Sequence, residues 1–205
     1  MTDAPPNQKL IELPGAPEIF VDGISGFFLH HQNLRLTFEA SRVDHAQNPG
    51  PVTRHIVARV IMPSAGARTL AVGLFDFLKK MGLEPGNVAP SVTVQSAKTQ
   101  PAAEPTPKPI VEVTPAGPAL VDQPGAPELY ADGAIGFYLN HGILRIALEA
   151  QRFDHANAGA PAYRVVVGRI AMPTTSASAL AVNLFDFLKK MGIDPASVSG
   201  GPTMQ

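Results

Sequence analysis

Apolar positions along this chain follow one pattern, and they follow it twice. From Ile19 to His30 β-branched and aromatic side chains crowd together, interrupted at Asp22-Gly23 and Gly26. That predicts a strand bulged or bent at its glycines. Gln32-Asn33 (Gly142-Ile143 on the second pass) predicts a tight turn. Leu34 to Asp44 then alternates: Leu34, Leu36, Phe38 and Ala40 on one face, Arg35, Thr37, Glu39 and Ser41 on the other. Such alternation marks a half-buried strand. The loop Ala46-Gln47-Asn48-Pro49-Gly50-Pro51 precedes a third strand, Val52 to Met62.

At Pro63-Ser64 the period changes. Proline ends the strand and Ser64 is a candidate helix N-cap. Leu70, Leu74, Phe77, Leu78 and Met81 follow at helical spacing as one stripe. Lys79 and Lys80 suit the negative end of the helix dipole, and Gly82 suits the left-handed position just past it. The unit reads β-β-β-α.

The same unit returns 110 positions later. Pro14-Gly15-Ala16-Pro17-Glu18 recurs from Pro124, and Leu74 to Gly82 recurs letter for letter as Leu184 to Gly192. Between Pro14 and Pro85, 39 of 72 positions are identical with no gap, so both copies share a fold. The expected organisation is a first module over 9–85, a proline-rich linker over 86–118 and a second module over 119–198. Prolines in the linker favour extended polyproline II. Within it, Ile110-Val111-Glu112-Val113 is a small apolar island able to dock as a strand. The tails, Met1 to Gln8 and Ser199 to Gln205, are expected to fray.

One helix covers one face of a three-stranded sheet. Phe27-Phe28-Leu29 and Ile56-Val57-Ala58 nevertheless place apolar groups on both faces of their strands. A module this size buries only ~60% of its unfolded surface. The second face therefore needs a cover: the other repeat, a second chain or a client. The predicted class is α+β, two tandem β-β-β-α modules, each an antiparallel three-stranded sheet with a C-terminal helix, packed as a pseudo-dimer. Candidate interface residues are Phe27, Leu29, Val57 and Ile61, with Phe137, Leu139 and Val167 in the second copy. Phe28, Ile56, Ala58 and Val60 form the opposite alternation. The pattern leaves open which set faces the helix.

Composition narrows the chemistry. Net charge is −1 and only 16% of residues are charged, which disfavours capture of nucleic acid or an anionic membrane. There is no cysteine, so no disulfide framework or thiolate metal site. The first residues lack the basic and apolar regions of a signal peptide, and no apolar run approaches a bilayer span. A cytoplasmic protein is expected.

Asp44-His45 and Asp154-His155 offer a general base with an orienting carboxylate. Adjacent strand residues point to opposite faces, however, so loop capping is the stronger reading. His31 and His141 lack metal-ligand spacing, which favours a surface role. Arg35, Arg42, Arg54 and Arg59 recur as Arg145, Arg152, Arg164 and Arg169. They suit cross-strand ion pairs with carboxylates, Arg35 and Glu39 among them, or alternatively an anion patch. No cofactor is implied.

Glu18-Ile19-Phe20-Val21-Asp22-Gly23, the Leu36 to Glu39 core and Ala58-Arg59-Val60-Ile61-Met62-Pro63 running into a helix together resemble a known type of protein. It is a family of short bacterial proteins catalogued only as a domain of unknown function, with a strand ending Arg-Ile-Ile-Leu-Thr-Pro before a C-terminal helix. The likeness covers nearly all of each module and none of the linker. It implies a small bacterial cytoplasmic protein that self-associates, and it supplies no catalytic residues. Its members are usually single modules, so the tandem form departs from it. A looser likeness of topology is to the SecB-type export chaperones. The resulting expectation is a non-enzymatic interaction or assembly module whose partner is protein, itself or a client. An Asp-His hydrolase or metal enzyme and an arginine-strand nucleic-acid binder are the alternatives.

Overall fold

The computed structural model of the chain describes residues 10–85, 118–154, 156–157 and 161–195. The linker (apart from Pro118), its apolar island, both tails and His155 lie outside the described residues. The first repeat contains β1 (Leu10–Glu12), β2 (Glu18–Phe20), β3 (Gly23–His30), β4 (Asn33–Val43), β5 (Val52–Pro63) and α1 (Ser64–Lys80). The second contains β6 (Leu120–Val121), β7 (Glu128–Tyr130), β8 (Gly133–Asn140), β9 (Ile143–Arg152), β10 (Tyr163–Pro173) and α2 (Thr174–Lys190).

Among the described residues these strands form two five-stranded sheets, not two three-stranded ones. Each sheet contains an antiparallel meander, β3-β4-β5 or β8-β9-β10, whose first strand is the sheet's edge. The two extra strands come from the other repeat. β1 and β2 add in parallel to β10, while β6 and β7 add in parallel to β5. The exchange is reciprocal in register: Glu18–Phe20 lie beside Arg169–Ala171, and Glu128–Tyr130 beside Arg59–Ile61.

The predicted strand Ile19–His30 is thus two strands serving different sheets. The handover takes two adjacent amides. Val21 N–H donates to the Ala171 carbonyl at 2.9 Å, and Asp22 N–H to the Glu39 carbonyl at 2.8 Å. Ala131 and Asp132 repeat this toward Ile61 and Glu149, at 2.9 and 2.7 Å. The aspartate fixes the corner, since its Oδ2 accepts the Ser41 N–H at 2.6 Å and that of Asp132 accepts the Gln151 N–H at 2.6 Å. A short carboxylate able to reach a backbone donor explains the Asp-Gly at this bend.

The hairpin turn sits one residue earlier than predicted. His30 pairs with Asn33 across His31-Gln32. His31 and His141 adopt left-handed φ values of 54° and 49°, and Gly142 of 76°. Two-residue hairpins favour positive φ because it matches strand twist. Ser64 is the first helical residue, not the cap: the N-cap is Pro63, without a side-chain bond. The Ser64 N–H instead donates to the Gln32 carbonyl at 2.7 Å, so the hairpin turn seats the helix start. At the far end Gly82 (φ 73°) closes the helix, with Gly82 N–H donating to Lys79 and Leu83 N–H to Leu78. This is the expected two-bond termination. Met81 is half exposed and leaves the predicted stripe; Leu70, Leu74 and Leu78 are its buried members, Phe77 is part-buried, and Ala71 joins them in the core.

Both repeats share one core. Leu34, Leu36, Phe38, Ala58, Val60 and Met62 meet the helices from one sheet, and Leu144, Ile146, Leu148, Ile170 and Met172 from the other. The helices pack against each other, with the Phe75 and Phe185 rings 6.1 Å apart. α1 lies chiefly on β8 and α2 on β3, each on the other repeat's first long strand. Phe27 stacks on Phe187 at 5.2 Å and Phe77 tilts against Phe137 at 5.6 Å. The first turn of each helix abuts the opposite corner. A Cβ at Gly66 would overlap the Asp132 carbonyl, whereas the matching Ser176 hydroxyl donates to the Asp22 carbonyl.

Candidate interaction surface

Helices cover only the inner side of each sheet. Strand alternation then defines the outer side, and the register aligns its residues in rows. On the first sheet Phe28, Arg35, Ile61 and Tyr130 stand side by side across β3, β4, β5 and β7. On the second, Tyr138, Arg145, Ala171 and Phe20 occupy the same places. The flanking aromatics are open to solvent: Phe28 is 50% exposed, Tyr130 49%, Tyr138 61% and Phe20 51%. Single exposed apolar residues are ordinary, but aromatics at both ends of a row mark a surface that a partner can cover.

Ion pairs run through these rows. Arg35 meets Glu128 at 3.1 Å and Arg145 meets Glu18 at 3.0 Å. Arg59 pairs with Asp122, and Arg169 with Glu12. All four cross between repeats. Within each sheet Arg54 grips Glu39 through two nitrogens, at 2.7 and 2.5 Å, and Arg164 pairs with Glu149. Six of the eight recurring arginines therefore hold carboxylates. Four of them hold the exchanged arms, where the pairs set register more than they add stability. Arg35 and Glu39 both take partners on other strands, as expected, but these are Glu128 and Arg54 rather than Arg59.

Tyr130 carries a perturbed hydroxyl on the outer face of the first sheet. Burial, then a 3.1 Å hydrogen bond to Asp132 and that residue's charge, hold its hydroxyl above the ordinary 10.0. On the second sheet Gly136 and Ala147 leave the outer surface low. An open depression of about 320 Å³ lies there, bordered by Glu18, Tyr138, Arg145 and Arg169.

The sequence-predicted interface residues do not share one face. Phe27 is 8% exposed, and Leu29 and Val57 also pack against the shared core, as do Phe137, Leu139 and Val167. Ile61 lies on the outer face beside Tyr130. Phe27 and Phe137 do meet the other repeat, but through its helix. The opposite set divides as well: Ala58 and Val60 are core, Phe28 points outward, and Ile56 pairs with Glu39. The reason is a bulge. Phe38 pairs with Ala58 and Glu39 with Ile56, so Val57 is an extra residue that reverses the alternation. Val167 is extra in β10 in the same way.

Tyr138, Phe20 and Tyr130 lie outside the sets the sequence named, and Phe28 belongs to the opposite alternation. A signal for them exists in the repeat. Phe27 stays Phe137 and Leu29 stays Leu139, but Phe28 becomes Tyr138 and Phe20 becomes Tyr130. A phenol is easily accommodated where water reaches it.

The Asp-His loops resolve into loop capping in the first copy. Asp44 Oδ1 accepts the Ala46 N–H at 2.9 Å and Oδ2 accepts the Gln47 amide at 3.2 Å. Asp154 likewise accepts the Ala156 N–H at 2.9 Å. Among the described residues no three His, Cys, Asp or Glu side chains converge as a metal site, and no helix is long and apolar enough to cross a membrane. No family model, no curated protein and no solved structure matches the chain.

Proposed function

We propose that this chain is a non-enzymatic protein-interaction and assembly module of the cytoplasm. In this reading its two β-β-β-α repeats act as halves of a pseudo-dimer. The observation that carries it is the pair of outer rows, Phe28-Arg35-Ile61-Tyr130 and Tyr138-Arg145-Ala171-Phe20, each ending in aromatics that no helix covers. Exchanged arms and a shared core favour a rigid scaffold that presents two related surfaces. Carboxylates already occupy the recurring arginines of the outer faces, which weighs against a nucleic-acid role. Self-association is also what the resemblance of the repeats implies.

The test compares the full chain with a Phe20→Glu/Tyr130→Glu variant. Self-association is measured by light scattering, and capture of proteins from the native host's extract by quantitative mass spectrometry. Loss of either activity in a variant with unchanged circular dichroism supports the reading. A monomeric wild-type chain that captures the same proteins as its variant overturns it.

A further inference from the structure

The two arms cover one edge of each sheet and leave the other open. β5 and β10 are closed by β7 with β6 and by β2 with β1, but among the described residues no strand lies beyond β3 or β8. The two-residue turn makes His30 and Asn33 a hydrogen-bonded pair, so Phe28 and Gly26 also bond toward β4. The backbone groups of Phe27 and Leu29 therefore point to the open edge, and those of Phe137 and Leu139 do so on β8. Exposed edges in monomeric proteins are commonly blunted by lysine, other charges or proline. Gly23–His30 and Gly133–Asn140 contain none of these. Their bulges fall early, at Ser25 and Ile135, and Gly26 to His30 runs straight beyond.

We infer that β3 and β8 are edge-to-edge docking strands for a second copy of this chain. This deepens the assembly reading and rests on it. Three features select a second copy as occupant. Antiparallel pairing of like strands is isologous, so each copy offers what the other needs. The strands carry no charge with which to choose a foreign partner. β3 is also the direct continuation of β2, which already binds by strand addition across the repeat interface. A docked strand would extend the outer row past Phe28 or Tyr138 and place aromatic against aromatic, a favourable cross-strand pair.

The full-length chain provides the test. Phe28 and Tyr138 are exposed and face away from the core, so charge there spares the fold. Wild type is expected to show an oligomeric mass by light scattering, with slowed amide exchange at Phe27, Leu29, Phe137 and Leu139 as concentration rises. Phe28→Glu/Tyr138→Glu and Phe28→Lys/Tyr138→Lys should each be monomeric, and mixing them should restore the higher mass. If wild type associates and neither variant changes its mass, the edge proposal fails while the assembly reading stands on another face. A monomeric wild type overturns the edge proposal outright, and the assembly reading then rests on client capture alone.

Discussion

Arg145 and Glu18 stand 127 positions apart and form a 3.0 Å ion pair. Its mirror, Arg35 with Glu128, closes at 3.1 Å. Each arginine thus holds the arm of the other repeat. If every arm lay on its own sheet, Glu18 would instead meet Arg35.

Charge reversal separates the two arrangements. Glu18→Arg is expected to destabilise the chain, and Arg145→Glu in the same molecule to restore it, whereas Arg35→Glu does not. Exposed pairs of this kind couple by about 0.2–1 kcal/mol. A double-mutant cycle from denaturant midpoints at constant m-value reads that coupling.

Adjacent phenylalanines should differ sharply. Phe27 is buried against Phe187, while Phe28 is half exposed. Phe27→Ala is expected to cost about 3–5 kcal/mol. Phe28→Ala should stay within about 0.5 kcal/mol, the range for surface changes. Equal losses in urea unfolding would contradict the assignment of faces.

Tyr130 should ionise above the ordinary tyrosine value of 10.0 in an alkaline absorbance titration. Its folded pKa is raised above 10.0 by burial, then by its bond to Asp132 and that residue's charge. The folded state therefore holds this proton more tightly than the unfolded one. The stability so contributed is present below the ordinary value and is lost as pH rises through the folded value. Asp132→Asn should bring the Tyr130 transition down toward 10.0, and Tyr130→Phe should remove it.

His141 and Gly142 form a turn with both φ values positive, at 49° and 76°. Asn is favoured there before glycine, because its side chain tolerates the left-handed region. His141→Asn is expected to raise the denaturation midpoint slightly, and His141→Val to lower the unfolding free energy by about 1–2 kcal/mol.

Much of the fold was legible. Leu34 to Ser41 alternates without a break, and its buried positions, Leu34, Leu36 and Phe38, all lie on the face alternation names. Gly82 and Gly192 mark both helix ends. The bulge at Val57 was not legible, because Ile56-Val57-Ala58 is apolar throughout and periodicity cannot show where one residue is extra. Nor was the arm exchange. Arg59 and Arg169 are the same residue in the same context, so Glu18 finds equivalent chemistry on either sheet. The Val21-Asp22 corner is where the chain passes from one sheet to the other. The facing of Phe28 stayed open for a related reason: the adjacent residues Phe27-Phe28 are chemically identical, and only their neighbours tell them apart.

Strand exchange between the repeats is the claim on which the rest depends, and a cysteine pair tests it directly because the chain has no cysteine of its own. Phe20 and Ala171 are register partners across the repeats, whereas Phe20 on its own sheet would lie beside Ile61. Under mild oxidation Phe20→Cys/Ala171→Cys should close an intramolecular disulfide, mapped by mass spectrometry of the digested chain, and Phe20→Cys/Ile61→Cys should not. Efficient closure of the second pair with none of the first would contradict the exchange.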